Sequence, residues 1–192
     1  MIRIGIILGS TRPGRNGAAV AQWVLEQAAG RTDAEYELID LLDHPLPHLD
    51  EPIPASAGQY AGAHTLRWAE TIDRFDGYVF VTPEYNHSTS GVLKNAIDYL
   101  YQEWTNKAAG FVSYGAVGGA RAVEHLRLVA AELQLATVRE QVTLSLYNDF
   151  EDFTVLRAGD VQTAALGRML DQLTLWSAAL REVRTGRILE RV

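Results

Sequence analysis

Arg12 and Arg15 share the short run Gly9-Ser10-Thr11-Arg12-Pro13-Gly14-Arg15-Asn16-Gly17, which lies between an apolar stretch and a helical one. Guanidinium forks match phosphate oxygens, and Ser10, Thr11 and Asn16 add neutral hydrogen-bond donors. The backbone N–H groups that open the following helix, from Gly17 on, favour an anion as well. The plainer alternative is a solvated turn with two surface arginines, but its position straight after a buried strand favours a phosphate site. The Gly-Lys-Ser/Thr ending of a Walker A loop is missing, so hydrolysis of a magnesium nucleotide is not expected.

A second loop, Thr82-Pro83-Glu84-Tyr85-Asn86-His87-Ser88-Thr89-Ser90-Gly91, also leaves a buried strand. Pro83 fixes the turn, while Tyr85 and Asn86 offer a flat apolar face beside polar donors. That combination suits a ring whose edges need hydrogen bonds; an ordinary turn capping a helix at Ser90 is the competing account. The third loop, Ser113-Tyr114-Gly115-Ala116-Val117-Gly118-Gly119-Ala120, lets backbone approach a ligand closely or turn tightly. Its glycines miss the dinucleotide-binding spacing, and taken alone it reads as packing.

Other chemistries are poorly represented. The chain has no cysteine, which removes disulfides, thiolate nucleophiles and iron–sulfur clusters. His44 and His48 are four residues apart, but Pro45 and Pro47 deny them the helix that would align them on a metal. A formal net charge of −7 argues against a nucleic-acid surface. The apolar N-terminus stops at Gly9-Ser10, too soon for a secretory leader, and no run approaches the ~20 residues of a membrane helix. A cytoplasmic protein without membrane or nucleic-acid partners is the expectation.

The elements that must position these loops follow from hydropathy. Residues 4–8, 77–82 and 108–114 are apolar runs, as strands buried on both faces require. Residues 36–41 and 138–144 mix polar and apolar residues and suit edge strands. Helical faces recur between them: Ala21, Val24, Leu25 and Ala28; Leu66, Ala69 and Ile72; Val92, Leu93, Ala96, Ile97 and Leu100; Val123, Leu126, Ala130 and Leu133. A stripe of Leu166, Met169, Leu170, Leu173 and Trp176 marks the last helix. Strictly alternating strands and helices predict an α/β fold with a doubly wound, five-stranded parallel sheet. Placing the polar strands at the edges selects the order 2-1-3-4-5, flavodoxin-like, in a single domain over residues 1–192. Ligands in such sheets bind where the strand order reverses, beyond the carboxyl ends of the strands. The three loops lie there. The acidic, aromatic run Tyr147 to Phe153 reads as a solvated loop or as the flank of a substrate entrance.

Leu8-Gly9-Ser10-Thr11-Arg12, Thr82-Pro83-Glu84-Tyr85-Asn86, Gly91-Val92-Leu93-Lys94-Asn95-Ala96-Ile97-Asp98 and Ser113 through Gly119 with Leu126-Arg127 resemble the NADPH-dependent FMN reductases, a family that includes quinone, chromate and azo-dye reductases. The resemblance implies FMN as cofactor, with its phosphate on Ser10, Thr11, Arg12, Arg15, Asn16 and Gly17. It places the isoalloxazine ring against Pro83, Glu84, Tyr85 and Asn86, and the pyrimidine edge at Ser113, Gly115 and Gly118. NADPH or NADH would be the reductant and a quinone-like or other small molecule the electron acceptor, in ping-pong turnover with no dedicated catalytic side chain. Two departures stand out: Ser90 replaces a common proline, implying a looser loop, and Arg15-Asn16-Gly17 replaces a common serine. Family members dimerise near the site, so Tyr99, Tyr101 and Trp104 are expected at a subunit contact of a homodimer or homotetramer.

Two other functions fit the same fold. A flavodoxin-type electron carrier would bind FMN without turning over nicotinamide, although its phosphate loop would be rich in Ser and Thr rather than in paired arginines. A regulatory α/β domain would bind no FMN at all.

Overall fold

The computed structural model of the chain describes residues 1–186. Five parallel strands form the central sheet: β1 (Ile2–Leu8), β2 (Ala34–Asp40), β3 (Gly77–Pro83), β4 (Ala108–Gly115) and β5 (Ala136–Ser145). Their order is β2-β1-β3-β4-β5, as the strand polarity predicts. Side chains on a strand alternate between faces, and the core divides accordingly. Ile4, Ile6, Leu8, Val79, Val81 and Val112 face helices α1 (Gly17–Ala28) and α5 (Asp160–Arg184). Ile7, Tyr78, Phe80 and Phe111 face α2 (Ala63–Asp73), α3 (Gly91–Asp98) and α4 (Ala120–Glu132). No helix among the described residues is long and apolar enough to cross a membrane.

Three expectations from the sequence are corrected. Tyr99 and Trp104 are fully buried rather than at a surface. Trp104 Nε1 donates to Ile97 O at 3.1 Å, and Tyr99 Oη donates to Asp50 Oδ1 at 2.8 Å. Tyr101 is only partly buried, with its hydroxyl on Glu132 O. These aromatics are core, because the chain after α3 turns inward against Tyr78 and Phe80. In α2 the buried face is Thr65, Trp68 and Ile72, leaving Leu66 at 48% exposure. The larger ring takes the inward position. Trp176 is likewise 45% exposed on the outer side of α5.

Two small elements were not expected from the sequence, one of them a single 3-10 turn at Ala55–Ala57. Beyond β5 the chain forms a small antiparallel hairpin, β6 (Phe150–Glu151) and β7 (Val155–Leu156), in which Phe150 pairs with Leu156.

Candidate functional site

The order reverses between β1 and β3, so their carboxyl ends splay apart and leave a crevice. The two loops that leave these strands are stitched together at its floor. Gly9 N donates to Val81 O at 2.8 Å, and the Ser90 hydroxyl donates to Gly9 O. Ser90 also caps α3 by accepting from Leu93 N. The looser loop implied by serine in place of proline is therefore not found: the hydroxyl anchors it. Ser10, itself buried, shares a 3.0 Å hydrogen bond with the Tyr85 hydroxyl. Glu84 N donates to Tyr114 O, bringing in the end of β4.

These ties enclose a cleft of about 360 Å³. At one end lie Arg12, Gly14, Arg15 and Asn16, with the Tyr114 hydroxyl reaching in beside Gly17; at the other, Pro83, Glu84, Tyr85 and Gly115. Leu146, Phe153 and Thr154 close the side. The structure thus brings most of the residues singled out from the sequence into one cavity. Thr11 is an exception: it lines a neighbouring hollow with Leu41, Pro45 and Val92. Asn86 is exposed at the tip of a tight turn, where it and His87 adopt φ of 48° and 74°.

The two arginines differ. Arg15 donates through Nη1 to Asp40 Oδ1 at 2.7 Å and through Nη2 to Asp40 Oδ2. The fork read as a phosphate ligand is engaged by a carboxylate that the parallel register brings opposite Leu8. Burial pulls the Asp40 carboxyl upward, but the Arg15 and Leu42 N–H bonds outweigh it and hold it below the ordinary carboxylate range. Arg12 is exposed and has no ion pair among the described residues. No side chain caps α1, whose first turn also carries no acid. The cationic character of this end comes from Arg12 and the open helix terminus.

At the other end Glu84 is neutralised by Arg121 of α4, whose Nε donates to Oε1 at 2.6 Å. Arg121 was not singled out from the sequence; its partner lies 37 residues away and only the fold pairs them. Ser113 is fully buried and donates to Gly118 O at 2.7 Å, so its hydroxyl shapes the third loop instead of pointing into the cleft. Gly118 has φ +72°, and a Cβ there would lie 2.8 Å from Thr143 Cβ. Gly17 is buried because a Cβ would lie 2.6 Å from Tyr114 Oη. Ser113, Gly118 and Gly17 hold the frame. Tyr114 Oη is buried with no well-formed hydrogen bond, Ser10 and the Gly17 N–H lying nearby, and burial pushes its pKa up against their pull.

Buried polar atoms are nearly always satisfied. An orphaned hydroxyl at the floor, an uncapped helix and an unpaired arginine at one end, and a proline–tyrosine wall at the other fit a planar ring carrying a phosphate. Among the described residues the one carboxylate lining the cleft is Glu84, and Arg121 shields it from an anion.

Comparison with known proteins supports that fit. A family model described as NADPH-dependent FMN reductase matches residues 2–149. An NAD(P)H-dependent FMN reductase of Schizosaccharomyces pombe is 40% identical over 149 residues, covering 77% of this chain and 74% of the relative. A quinone reductase of Escherichia coli strain K12 is 31% identical, covering 100% of this chain and 97% of its own length. Among solved structures, the flavoenzyme FerB from Paracoccus denitrificans, an NAD(P)H:(acceptor) oxidoreductase, superposes with a TM-score of 0.72 over 93% of this chain and 98% of its own. At 22% identity that likeness bears on the fold.

Proposed function

The chain belongs to the NADPH-dependent FMN reductase family, and on that premise we propose that the cleft between the first loop and Pro83–Tyr85 holds its FMN. The protein is an FMN-dependent NAD(P)H oxidoreductase acting on quinone-like acceptors. The observation that carries the site is the polarity of one cavity: Arg12 and the open α1 terminus at one end, Tyr85 and Pro83 at the other.

Bound FMN supplies the chemistry, taking hydride from a nicotinamide and passing it to the acceptor. The side chains bind and orient. Arg12 and the first backbone N–H groups of α1 receive the phosphate. Ser10 and Tyr85 fix the distance between the phosphate end and the ring end through their shared hydrogen bond. The Arg121–Glu84 pair holds the ring loop in place and cancels its charge. No side chain needs to move a proton, and one face serves reductant and acceptor in turn. The assembly is a cytoplasmic homodimer; exposed Leu42 and Leu49, beside the apolar hollow at Leu41, Pro45 and Val92, support a subunit contact there.

The visible spectrum of purified protein tests the reading. Flavin absorbance that bleaches anaerobically with NADPH or NADH and returns with a quinone is the expected result. Flavin that nicotinamide never bleaches would make the chain an electron carrier instead.

A further inference from the structure

The β6–β7 hairpin is built for a purpose its size does not explain. Two strands of two residues have little stability of their own. Its turn places Asp152 at φ 48° and Phe153 at φ 59°, a region that suits Asn-Gly and that a bulky side chain occupies only under strain. Its base is firm. Asp149 accepts from Ser145 N at 2.7 Å and from Gln162 Nε2 at 2.8 Å, and Phe150 is buried against the Tyr114 ring. Its tip is not. Thr154 N closes the turn on Glu151 O at 3.1 Å, and among the described residues one hydrogen bond joins residues 152–154 to anything beyond the hairpin: Asn16 Nδ2 donates to Phe153 O at 2.7 Å, across 137 positions. A hollow of about 630 Å³, lined by Trp23, Glu26 and Thr154 among others, lies between the hairpin and α1.

Asn16 stands at the N-cap of α1 yet does not cap it. Its amide goes to the hairpin instead. Phe153, held this way, lines the same cleft as Tyr85 and Tyr114, and its ring meets Tyr147 edge-on at 5.7 Å. Phe153 and Tyr147 are 56% and 69% exposed, an aromatic pair at the mouth of the cleft.

We propose that Phe153 is a flavin-binding residue that retains FMN in the cleft, and that Asn16 is a positioning residue that latches it there. The inference rests on FMN occupying this cleft. An aromatic wall that must move before a planar ligand can leave slows release more than entry, because contacts are lost on the way out and the open tip lets ligand in. The strain at residue 153 persists because the phenylalanine ring is needed at that position; glycine would form the turn more easily.

FMN release is measured by dilution, following the return of flavin fluorescence, in wild type and in Phe153→Gly, Phe153→Tyr and Asn16→Ala. Glycine suits the backbone at 153, so this variant folds at least as well as wild type, which thermal unfolding checks. Phe153→Gly and Asn16→Ala should each release FMN about tenfold faster, as expected for partial loss of one aromatic contact. Phe153→Tyr should restore slow release, and the double variant should be no faster than the quicker single one, since both changes open the same latch. Release from Phe153→Gly within twofold of wild type overturns the proposal. So does fast release confined to Asn16→Ala, which would place Asn16 on the phosphate. If wild type takes up no FMN, the reading of the cleft itself falls, and this inference with it.

Discussion

Arg12 and Arg15 share one loop, and Asp40 separates their tasks. Removing the exposed fork by Arg12→Ala should weaken FMN binding by about 1.5–3 kcal/mol, or roughly 10- to 100-fold, through loss of a charge-assisted bond to phosphate. Riboflavin, which has no phosphate, should bind equally to both proteins. Equal FMN affinity in a titration would remove Arg12 from the site. Arg15→Ala should act differently: it strands a partly buried carboxylate and lowers stability by about 1–3 kcal/mol. Asp40 is held below its ordinary pKa. Its stabilising effect is present above an unfolded pKa of ~3.9 and lost as pH falls through the folded value. Wild type should therefore lose its advantage over Asp40→Asn as acid is added below pH ~4, and parallel acid-unfolding curves would refute the coupling. Residue types and spacing marked both arginines as anion ligands and could not tell them apart. The carboxylate that distinguishes them lies 25 positions on and meets Arg15 only through the parallel pairing of β1 with β2. Ser113 and Gly118 were legible as special for the same reason that they are structural: a buried turn needs them.

At the scale of elements, strand polarity was the readable signal, because an inner strand of a parallel sheet has no face on which to hide a charge. The hairpin at 150–156 was not readable, since two-residue strands show no period and Asp152-Phe153 lacks the usual turn chemistry. Nor was the junction of α2 with β3 and β4. There Lys107, 2% exposed, donates through Nζ to Tyr78 Oη at 3.0 Å and to the α2 carbonyls of Ile72 and Asp73 at 3.3 and 3.2 Å. Burial lowers its pKa to about 8, against the pull of Asp73, while Arg184 pushes the same way as burial. The unfolded chain keeps that proton to ~10.4. Between pH 8 and 10 the unfolded state thus binds more protons, and stability rises with pH. Buried tyrosines such as Tyr36 and Tyr78 oppose this only above pH ~10, where their unfolded forms ionise. Wild type should gain on the order of 1–2 kcal/mol between pH 7.5 and 9.5, read from denaturant midpoints. Lys107→Met, which cannot titrate, should show no such rise; an equal rise in both would place its origin elsewhere.

Two properties of the whole molecule are open to direct test. Trp104 is core, so Trp104→Glu should unfold the chain instead of dissociating subunits. If copies meet over the exposed Leu42 and Leu49, the double change to Glu should yield a folded monomer by light scattering, and a wild type already monomeric at micromolar concentration would end that reading. The second property is the order of turnover. The cleft holds about 360 Å³, room for one ring system, and Leu146, Phe153 and Thr154 wall one side of it, with Phe153 tied to the first loop through Asn16. Reductant and acceptor must then use the same remaining face, one after the other. With Arg12 taken up by the FMN phosphate, and Glu84 and Arg15 neutralised by partners, no unpaired charge among the described cleft residues is left to select an acceptor. Several quinones should be reduced at similar rates, and initial velocities against NADPH at different quinone concentrations should give parallel double-reciprocal lines. Intersecting lines would mean that both substrates are bound together, which requires a second binding face; the apolar hollow at Leu41, Pro45 and Val92 would be the place to look for it.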